Sequence, residues 1–238
     1  MSKLAVVTGG SRGIGYAIAQ ALAADNYDIL LIARTADSLN EAVLTLSQKG
    51  TGTVTPLAVD LTDNEAVCTS FSSCSMLLRP VDVLVNAAGI FMHGTTTLSS
   101  LEMTEMMKAN IMSTHHVCAW LSDNLIRAER SHVFNLSSVA GLQGFPFIGG
   151  YSATKHAIAG YSKSLADELR HKNVFVTTLY PDVVDTDMSA KANLDKALMI
   201  PTSDLAKTVQ FILSLSEKTY IDGLSLKCAN VSIDALSR

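Results

Sequence analysis

The chemistry that the sequence offers most clearly begins with Y-S-A-T-K, residues 151–155, which opens a helix-like pattern. Side chains four residues apart lie on one face of a helix, so Tyr151 and Lys155 are expected to be neighbours. A free phenol has a pKa of about 10, and a nearby ammonium group favours the phenolate and lowers that value. The pair therefore predicts a tyrosine that transfers a proton. Tyr161 and Lys163 point to different faces and are interpreted as a core-edge residue and a solvent-exposed one.

A glycine-rich turn lies near the N-terminus. The segment T-G-G-S-R-G-I-G, residues 8–15, follows an apolar run and leads into a helical pattern. Glycines there permit a tight turn, let backbone N–H groups approach a pyrophosphate, and allow the helix to pack closely on the strand. Such a turn alone could be an ordinary loop, but its place between a first strand and a first helix predicts a dinucleotide phosphate site.

Short apolar runs alternate with longer helical patterns and must position these motifs. Strands are predicted at 4–8, 28–33, 53–59, 81–87, 132–137, 174–180 and 224–228, and helices near 13–24, 36–49, 64–77, 99–128, 151–171 and 203–215. The strands are continuously apolar, which is typical of a parallel sheet covered on both faces. We therefore expect an α/β fold, a Rossmann-like doubly wound parallel sheet of about seven strands flanked by helices on both faces.

No linker or repeat divides the chain, so residues 1–238 are expected to form a single domain. Cofactor binding is expected mainly in 1–110, and catalysis and substrate binding mainly in 111–238. In such a sheet, ligands bind at the carboxyl ends of the strands.

Composition excludes several classes of function. The chain is 48% apolar and 17% charged, with a net charge of −4 and no long basic run, which argues against disorder, nucleic-acid binding and membrane-surface binding. The first apolar run is too short for a signal peptide, and none approaches the roughly 18 residues of a membrane span. Four cysteines without a C-x-x-C pair are expected to be reduced. A cytoplasmic protein is expected.

Seven motifs occur in an order typical of one known family. They are T-G-G-S-R-G-I-G (8–15), V-D-L (59–61), N-A-A-G (86–89), K-A-N (108–110), N-L-S-S-V-A-G (135–141), Y-S-A-T-K (151–155) and Y-P-D-V-V-D-T (180–186). With them the chain resembles the short-chain dehydrogenase/reductase family over nearly its whole length. Asp182 departs from the pattern, since the family usually has glycine there. If that position needs an unusual backbone angle, aspartate is among the few residues that tolerate it.

The resemblance implies four catalytic residues, Asn110, Ser138, Tyr151 and Lys155. Ser138 lies 13 residues before Tyr151, the family spacing of the serine that hydrogen-bonds the substrate carbonyl, and Ser137 is its near competitor. Tyr151 would donate a proton, and Lys155 would lower its pKa and hold the nicotinamide ribose. Asn110 matches the asparagine that anchors a water molecule linking Lys155 to solvent.

Two arginines bear on the choice of nicotinamide cofactor. Rossmann domains that bind NAD carry an acidic residue about 20 positions past the glycines, whereas Arg34 stands 19 residues after Gly15. Arg12 occupies a second position where the family often has a basic residue for the 2′-phosphate. Both could be solvated surface residues, but with no carboxylate at 33–35 the pattern predicts NADP(H). The full predicted cofactor set is Gly9, Ser11, Arg12, Gly13, Ile14, Gly15, Arg34, Asp60, Leu61, Asn86, Ala87, Gly89, Tyr151, Lys155, Pro181, Val184 and Thr186.

Half of the candidates for substrate contact are apolar. They are His93, Ser138, Leu142, Gln143, Phe145 and Met188, with residues 187–200 as the expected lid over a small or open pocket. His93 is interpreted as a loop residue more readily than as a catalytic one. His115 and His116 are adjacent and cannot share a helical face, so no metal site is expected.

The leading prediction is an NADPH-dependent oxidoreductase that reduces a ketone, aldehyde or 3-oxo compound. One alternative is a 3-oxoacyl-[acyl-carrier-protein] reductase whose basic residues Arg127, Arg130, Arg170 and Lys172 meet an acidic carrier. Another is a non-catalytic NADP(H)-sensing regulator, which commonly lacks the tyrosine or lysine retained here. The resemblance also implies a homodimer or homotetramer, with small residues such as Ala153, Ala157 and Gly160 letting helices approach closely.

Overall fold

A computed structural model describes residues 2–190 and 194–230, and the strands in these ranges form one parallel sheet. The strands are β1 (Leu4–Thr8), β2 (Asp28–Ala33), β3 (Val54–Ala58), β4 (Val83–Asn86), β5 (Ser131–Leu136), β6 (Val174–Pro181) and β7 (Gly223–Leu226). Their order across the sheet is β3-β2-β1-β4-β5-β6-β7, and every neighbouring pair is parallel. The predicted doubly wound sheet of seven strands is confirmed.

Helices cover both faces of this sheet. They are α1 (Gly13–Ala24), α2 (Ala36–Leu46), α3 (Asn64–Ser73), α4 (Ser100–Met107), α5 (Ser113–Ile126), α6 (Gly149–Leu169) and α7 (Thr202–Ser214). Successive side chains of a strand point to opposite faces, so Leu4 and Val6 pack with α3, α5 and α6, while Ala5 and Val7 pack with α1, α2 and α7. Two buried faces explain why the strands are apolar without alternation.

The predicted helix 99–128 is interrupted in the structure. A π-helical turn, Lys108–Met112, separates α4 from α5. The Asn110 side chain bonds the backbone of Ile90, accepting from its N–H at 2.7 Å and donating to its C=O at 3.0 Å. A π turn accommodates one extra residue in a helix and is frequent at functional sites. Here the π turn places Asn110 beside the loop that follows β4.

Two other helix boundaries differ from prediction. The helix α3 ends at Ser73, because Cys74 is extended, and a 3₁₀ turn (Ser75–Leu78) follows. The helix α6 begins at Gly149, two residues before the predicted start, so Tyr151 lies within its first turn.

Hydrogen bonds join the carboxyl ends of β1 and β4, the two strands at which the strand order of the sheet changes direction. The Thr8 hydroxyl accepts from the backbone N–H of Ala87 at 3.2 Å and of Ala88 at 3.3 Å. A crevice at such a switch point is where open α/β sheets bind ligands.

Asp182 adopts an ordinary backbone conformation. Among the described residues, the non-glycine positions with positive φ are Asn26, Phe147 and Asn173. The Asp182 backbone N–H donates to the Leu226 carbonyl at 2.8 Å, and its carboxylate accepts from the Cys228 N–H at 3.4 Å. The replacement of the family's glycine therefore causes no strain and fastens β6 to the end of β7.

Candidate active site

The glycine-rich turn requires its glycines for space as well as for backbone angle. Gly9 and Gly13 have φ values of +62° and +58°, in the left-handed region that favours glycine. A Cβ atom on Gly9 would lie 2.8 Å from the Ala88 nitrogen, and one on Gly15 would lie 2.4 Å from the Gly9 oxygen. The turn thus packs tightly against α1 and the end of β4.

The first turn of α1 presents a site suited to phosphate. Arg12 is the N-cap residue, and within the described part of the chain no side chain caps the helix. The first N–H groups of a helix lack intrahelical partners and carry partial positive charge, which favours an anion. Thr186 lies against this turn, since a Cβ atom on Gly13 would be 3.4 Å from its methyl carbon. The residues present therefore fit a dinucleotide pyrophosphate.

The ends of β2 and β3 bring Arg34 close to Asp60. The Asp60 carboxylate accepts from the Thr62 backbone N–H at 2.9 Å, and this bond, with the Arg34 charge nearby, lowers the pKa of Asp60. Leu61 beside it is buried. Arg12 forms an ion pair with Asp187 at 3.3 Å, in which both side chains are about three-quarters exposed.

Asn86 turns its side chain into the sheet. Its amide donates to the Asn135 side-chain oxygen at 2.8 Å and to the Cys118 sulfur at 3.2 Å. Asn86, which the sequence places in the cofactor set, therefore holds β4 against β5 in this structure. Gly89 faces the site instead, because a Cβ atom there would lie 2.9 Å from the Asn110 Oδ1 and 4.0 Å from the Lys155 Nζ.

Ser138 and Ser137 occupy different positions at the end of β5. The Ser137 hydroxyl is buried and donates to the Lys155 carbonyl at 2.8 Å, which joins β5 to α6. The Ser138 hydroxyl accepts from the Ala140 N–H at 3.1 Å and lies beside Tyr151. The geometry thus favours Ser138 as the serine that meets a substrate.

Burial dominates the electrostatics of Tyr151 and Lys155. Burial raises the pKa of Tyr151 to about 12, with hydrogen bonding to Ser138 acting in the opposite direction. Burial also lowers the pKa of Lys155 to about 8. The Lys155 Nζ donates to the Leu136 carbonyl at 2.7 Å and lies 5.5 Å from the Tyr151 ring centroid. Burial therefore shifts the pKa of Tyr151 in the direction opposite to the lowering that the sequence predicts from Lys155.

Thr154 connects Asn110 to the first turn of α6. The Asn110 amide donates to the Thr154 hydroxyl at 2.9 Å, and that hydroxyl donates to the Tyr151 carbonyl at 2.8 Å. Both side chains are fully buried. Together with its bonds to Ile90, this contact fixes the Asn110 side chain between β4 and α6.

Thr154→Val should lower the free energy of unfolding by about 1–3 kcal/mol, because the buried Asn110 amide loses an acceptor. Thr154→Ser keeps the hydroxyl and should recover most of that loss. Urea denaturation of both variants measures the difference. Greater destabilisation by serine than by valine would contradict this, because serine lacks only the methyl group, which valine retains.

The predicted substrate residues lie on loops at the same edge of the sheet. His93, Leu142, Gln143 and Met188 are exposed, and Phe145 is half-buried. Three residues of the expected lid, 191–193, lie outside the described residues. The described residues contain no cluster of His, Cys, Asp or Glu that could hold a metal ion. As interpreted from sequence, Tyr161 packs on the core edge and Lys163 is exposed.

Sequence reasoning missed two aromatic residues near Tyr151. Phe91 contacts the Tyr151 ring edge-on, with centroids 5.1 Å apart, and Phe147 stacks on His93. Phe91 follows β4, so the rule that ligands bind at strand ends could have identified it. Phe147 has no comparable signal, because its position depends on contacts between two loops.

Comparison with known proteins decides the family. The model of the short chain dehydrogenase family matches residues 3–197. The chain belongs to this family. It is 32% identical over 194 residues to the 3-oxoacyl-[acyl-carrier-protein] reductase FabG of Chlamydia trachomatis, covering 81% of this chain and 78% of that protein.

Two further similarities cover nearly the whole chain. Carbonyl reductase family member 4 of Xenopus laevis is 31% identical over 229 residues, 94% of each chain. An alcohol dehydrogenase from the archaeon Thermococcus sibiricus, solved in complex with 5-hydroxy-NADP, superposes with a TM-score of 0.88 at 29% identity, covering 98% of this chain and 99% of that one. The protein is therefore an oxidoreductase of the short-chain dehydrogenase family. In the described residues, no helix is long and apolar enough to cross a membrane.

Proposed function

We propose that this chain reduces a carbonyl compound to an alcohol with NADPH, and that Tyr151 donates the proton. The observation that carries this proposal is the position of Tyr151, beside Ser138 and in front of a buried Lys155, at the strand ends next to the glycine turn. These groups fit what carbonyl reduction needs, namely a proton donor, a second hydrogen-bond donor for the developing oxyanion, and a nearby cation.

In the proposed reaction, two side chains bind the carbonyl oxygen of the substrate. The hydroxyls of Ser138 and Tyr151 bind the carbonyl oxygen, and these bonds strengthen as that oxygen gains negative charge. When bound, the reduced nicotinamide supplies the hydride that the carbonyl carbon accepts. The Tyr151 phenol then gives its proton to the oxygen.

Burial favours the protonated form of Tyr151. With a pKa of about 12, the phenol is protonated at neutral pH, which is the form that a proton donor needs. Oxidation of an alcohol would need the phenolate. Any alcohol oxidation should therefore increase as the pH is raised.

Lys155 and Asn110 support Tyr151 without donating the proton themselves. The Lys155 ammonium is held by the Leu136 carbonyl, on the same helical face as Tyr151, where it stabilises negative charge on the phenol. The proposed site for the nicotinamide ribose is at this lysine, beside Gly89. Asn110 fixes the loop after β4 that forms the opposite wall.

Arg12 and Arg34 support NADPH as the cofactor. Arg12 is the N-cap residue of α1, and the N-terminus of that helix is the proposed pyrophosphate site. Arg34 follows β2, at the position where an NAD-binding domain carries an acidic side chain. The exposed ion pair of Arg12 with Asp187 is worth little and does not compete with a phosphate.

The second candidate is reduction of a 3-oxoacyl group carried on an acidic protein, the activity named for the FabG relative. The basic residues predicted to meet the carrier protein make contacts within the chain. Arg127 donates to the Leu78 carbonyl, Arg130 lies 4.9 Å from the Phe175 ring centroid, and Arg170 pairs with Asp167. The pair with Asp167 is exposed and worth little, so these contacts do not decide between a small substrate and a carrier protein. The sensor alternative loses support because all four implied catalytic residues are present.

The oligomeric state and the cellular location of the protein are further proposals. We infer a homodimer or homotetramer built on α6 and on the predicted helix 99–128, which comprises α4 and α5; Ala153 and Gly160 on α6 are exposed. A cytoplasmic, single-domain enzyme is consistent with four free cysteines.

The proposed function is tested by a substrate panel. The purified chain is incubated with NADPH and with ketones, aldehydes, an acetoacetyl thioester and an acetoacetyl carrier protein, and cofactor absorbance and alcohol product are followed. We expect one alcohol formed for each NADPH oxidised with a free carbonyl compound. Turnover restricted to the carrier-bound substrate would favour the second candidate, and tight NADPH binding without any turnover would favour the sensor.

A further inference from the structure

Large apolar side chains remain exposed on the loops around Tyr151. Phe91 follows β4, Leu142 and Phe147 follow β5, and Met188 follows β6, with exposed fractions between 38% and 62%. All three loops start at the carboxyl ends of the strands, where the carbonyl substrate must lie to reach the Tyr151 hydroxyl.

Phe147 has a backbone conformation that a bulky residue rarely adopts. Its φ is +64°, in the left-handed region. Such a conformation persists only where the surroundings hold it, and it is concentrated at active sites and ligand clamps. Here the Gly94 N–H donates to the Phe147 carbonyl at 2.5 Å, the Gly150 N–H donates to the Gly94 carbonyl at 3.3 Å, and the Gly149 N–H donates to the Thr95 hydroxyl at 2.9 Å. The loop before α6 is thereby clamped to the loop after β4.

This clamp builds an aromatic wall, which we define as Phe91, His93 and Phe147. The rings of His93 and Phe147 stack with centroids 6.1 Å apart and an interplanar angle of 12°. Phe91 meets the Tyr151 ring edge-on at 5.1 Å. Phe91 and His93 lie on the same loop, and Phe147 is the more exposed of the two phenylalanines, at 62% against 38%.

We propose that Phe147 determines specificity, selecting carbonyl compounds that carry a planar aromatic group beside the carbonyl. The inference rests on the proposed function, because it places the carbonyl oxygen at Ser138 and Tyr151. The group attached to that carbonyl then lies against the aromatic wall. A planar ring gains from offset or edge-on packing on such a surface beyond the area it buries, and a saturated ring of equal size does not.

The test compares acetophenone with cyclohexyl methyl ketone, two ketones of similar size. Phe147→Asn removes the ring, and asparagine tolerates a positive φ, so the loop should keep its shape. The ratio of kcat/KM for the aromatic ketone to that for the saturated one should fall roughly three- to tenfold in the variant. Comparing this ratio between enzymes cancels the different intrinsic reactivities of the ketones and any difference in active fraction.

Phe211→Asn is the matched control, because Phe211 is an exposed phenylalanine on α7, and it should leave the ratio unchanged. An unchanged ratio in Phe147→Asn overturns the inference, as does a wild-type enzyme that reduces other carbonyls of the panel but neither of these ketones. In both cases the proposed function stands. If no carbonyl is reduced at all, the proposed function fails and this inference with it.

Discussion

Tyr151→Phe should lower kcat for carbonyl reduction by about 10²–10⁴-fold, the usual contribution of a positioned general acid. Phenylalanine keeps the ring and its edge contact with Phe91 but has no proton to give. Cofactor binding should change little, because the glycine turn and the N-terminus of α1 are untouched. Turnover is measured by NADPH absorbance with the best ketone of the panel, and binding by titration of NADPH fluorescence.

Tyr161→Phe is the control for this prediction. It makes the same chemical change on the same helix, at a tyrosine that packs on the core edge. We expect activity near that of the wild type. If Tyr151→Phe kept more than about a tenth of the wild-type kcat, another group would have to be the proton donor.

Replacing both Arg12 and Arg34 by alanine should abolish the preference for NADPH. Hydrogen bonds to charged groups contribute about 1.5–3 kcal/mol each, so two lost phosphate contacts should reduce kcat/KM for NADPH by about 10²-fold or more. The value for NADH should change only slightly, because NADH has no 2′-phosphate. Initial rates with each cofactor at a fixed ketone concentration give the ratio.

Asp187→Asn separates the phosphate contact from the surface ion pair. It removes the partner of Arg12 but leaves the guanidinium, so the NADPH preference should remain. An equal loss with NADPH and NADH in the double arginine variant would contradict the cofactor proposal, because it would indicate a general weakening of the site.

The architecture of the site could be predicted because each motif follows a predicted strand. In a parallel sheet, the carboxyl ends of the strands lie at one edge, so sequence order alone brought Gly9, Arg34, Asn86, Ser138 and Tyr151 to that edge. The structure also gives Ser138 and Ser137 different hydrogen-bond partners. Their side chains point in different directions from the end of β5, and Ser137 is used to hold α6.

Other features depend on contacts that sequence patterns do not encode. The π turn at Asn110 exists because its side chain reaches Ile90 and Thr154, which lie on separate elements. The spacing of Tyr151 and Lys155 predicted a common face but not the depth of burial, which decides the direction of both pKa shifts. The positive φ of Phe147 likewise results from the clamp between two loops.

The central claim, hydride transfer from the nicotinamide to a carbonyl carbon, is tested most directly by isotope transfer. The enzyme is supplied with NADPH deuterated at both C4 positions and with a ketone from the panel, and the alcohol is examined by mass spectrometry and NMR. The reaction is run in H₂O, where the deuterated cofactor is the source of deuterium. We predict one deuterium atom on the former carbonyl carbon of each alcohol molecule. An alcohol without that deuterium, or no alcohol from any carbonyl compound, would contradict the account.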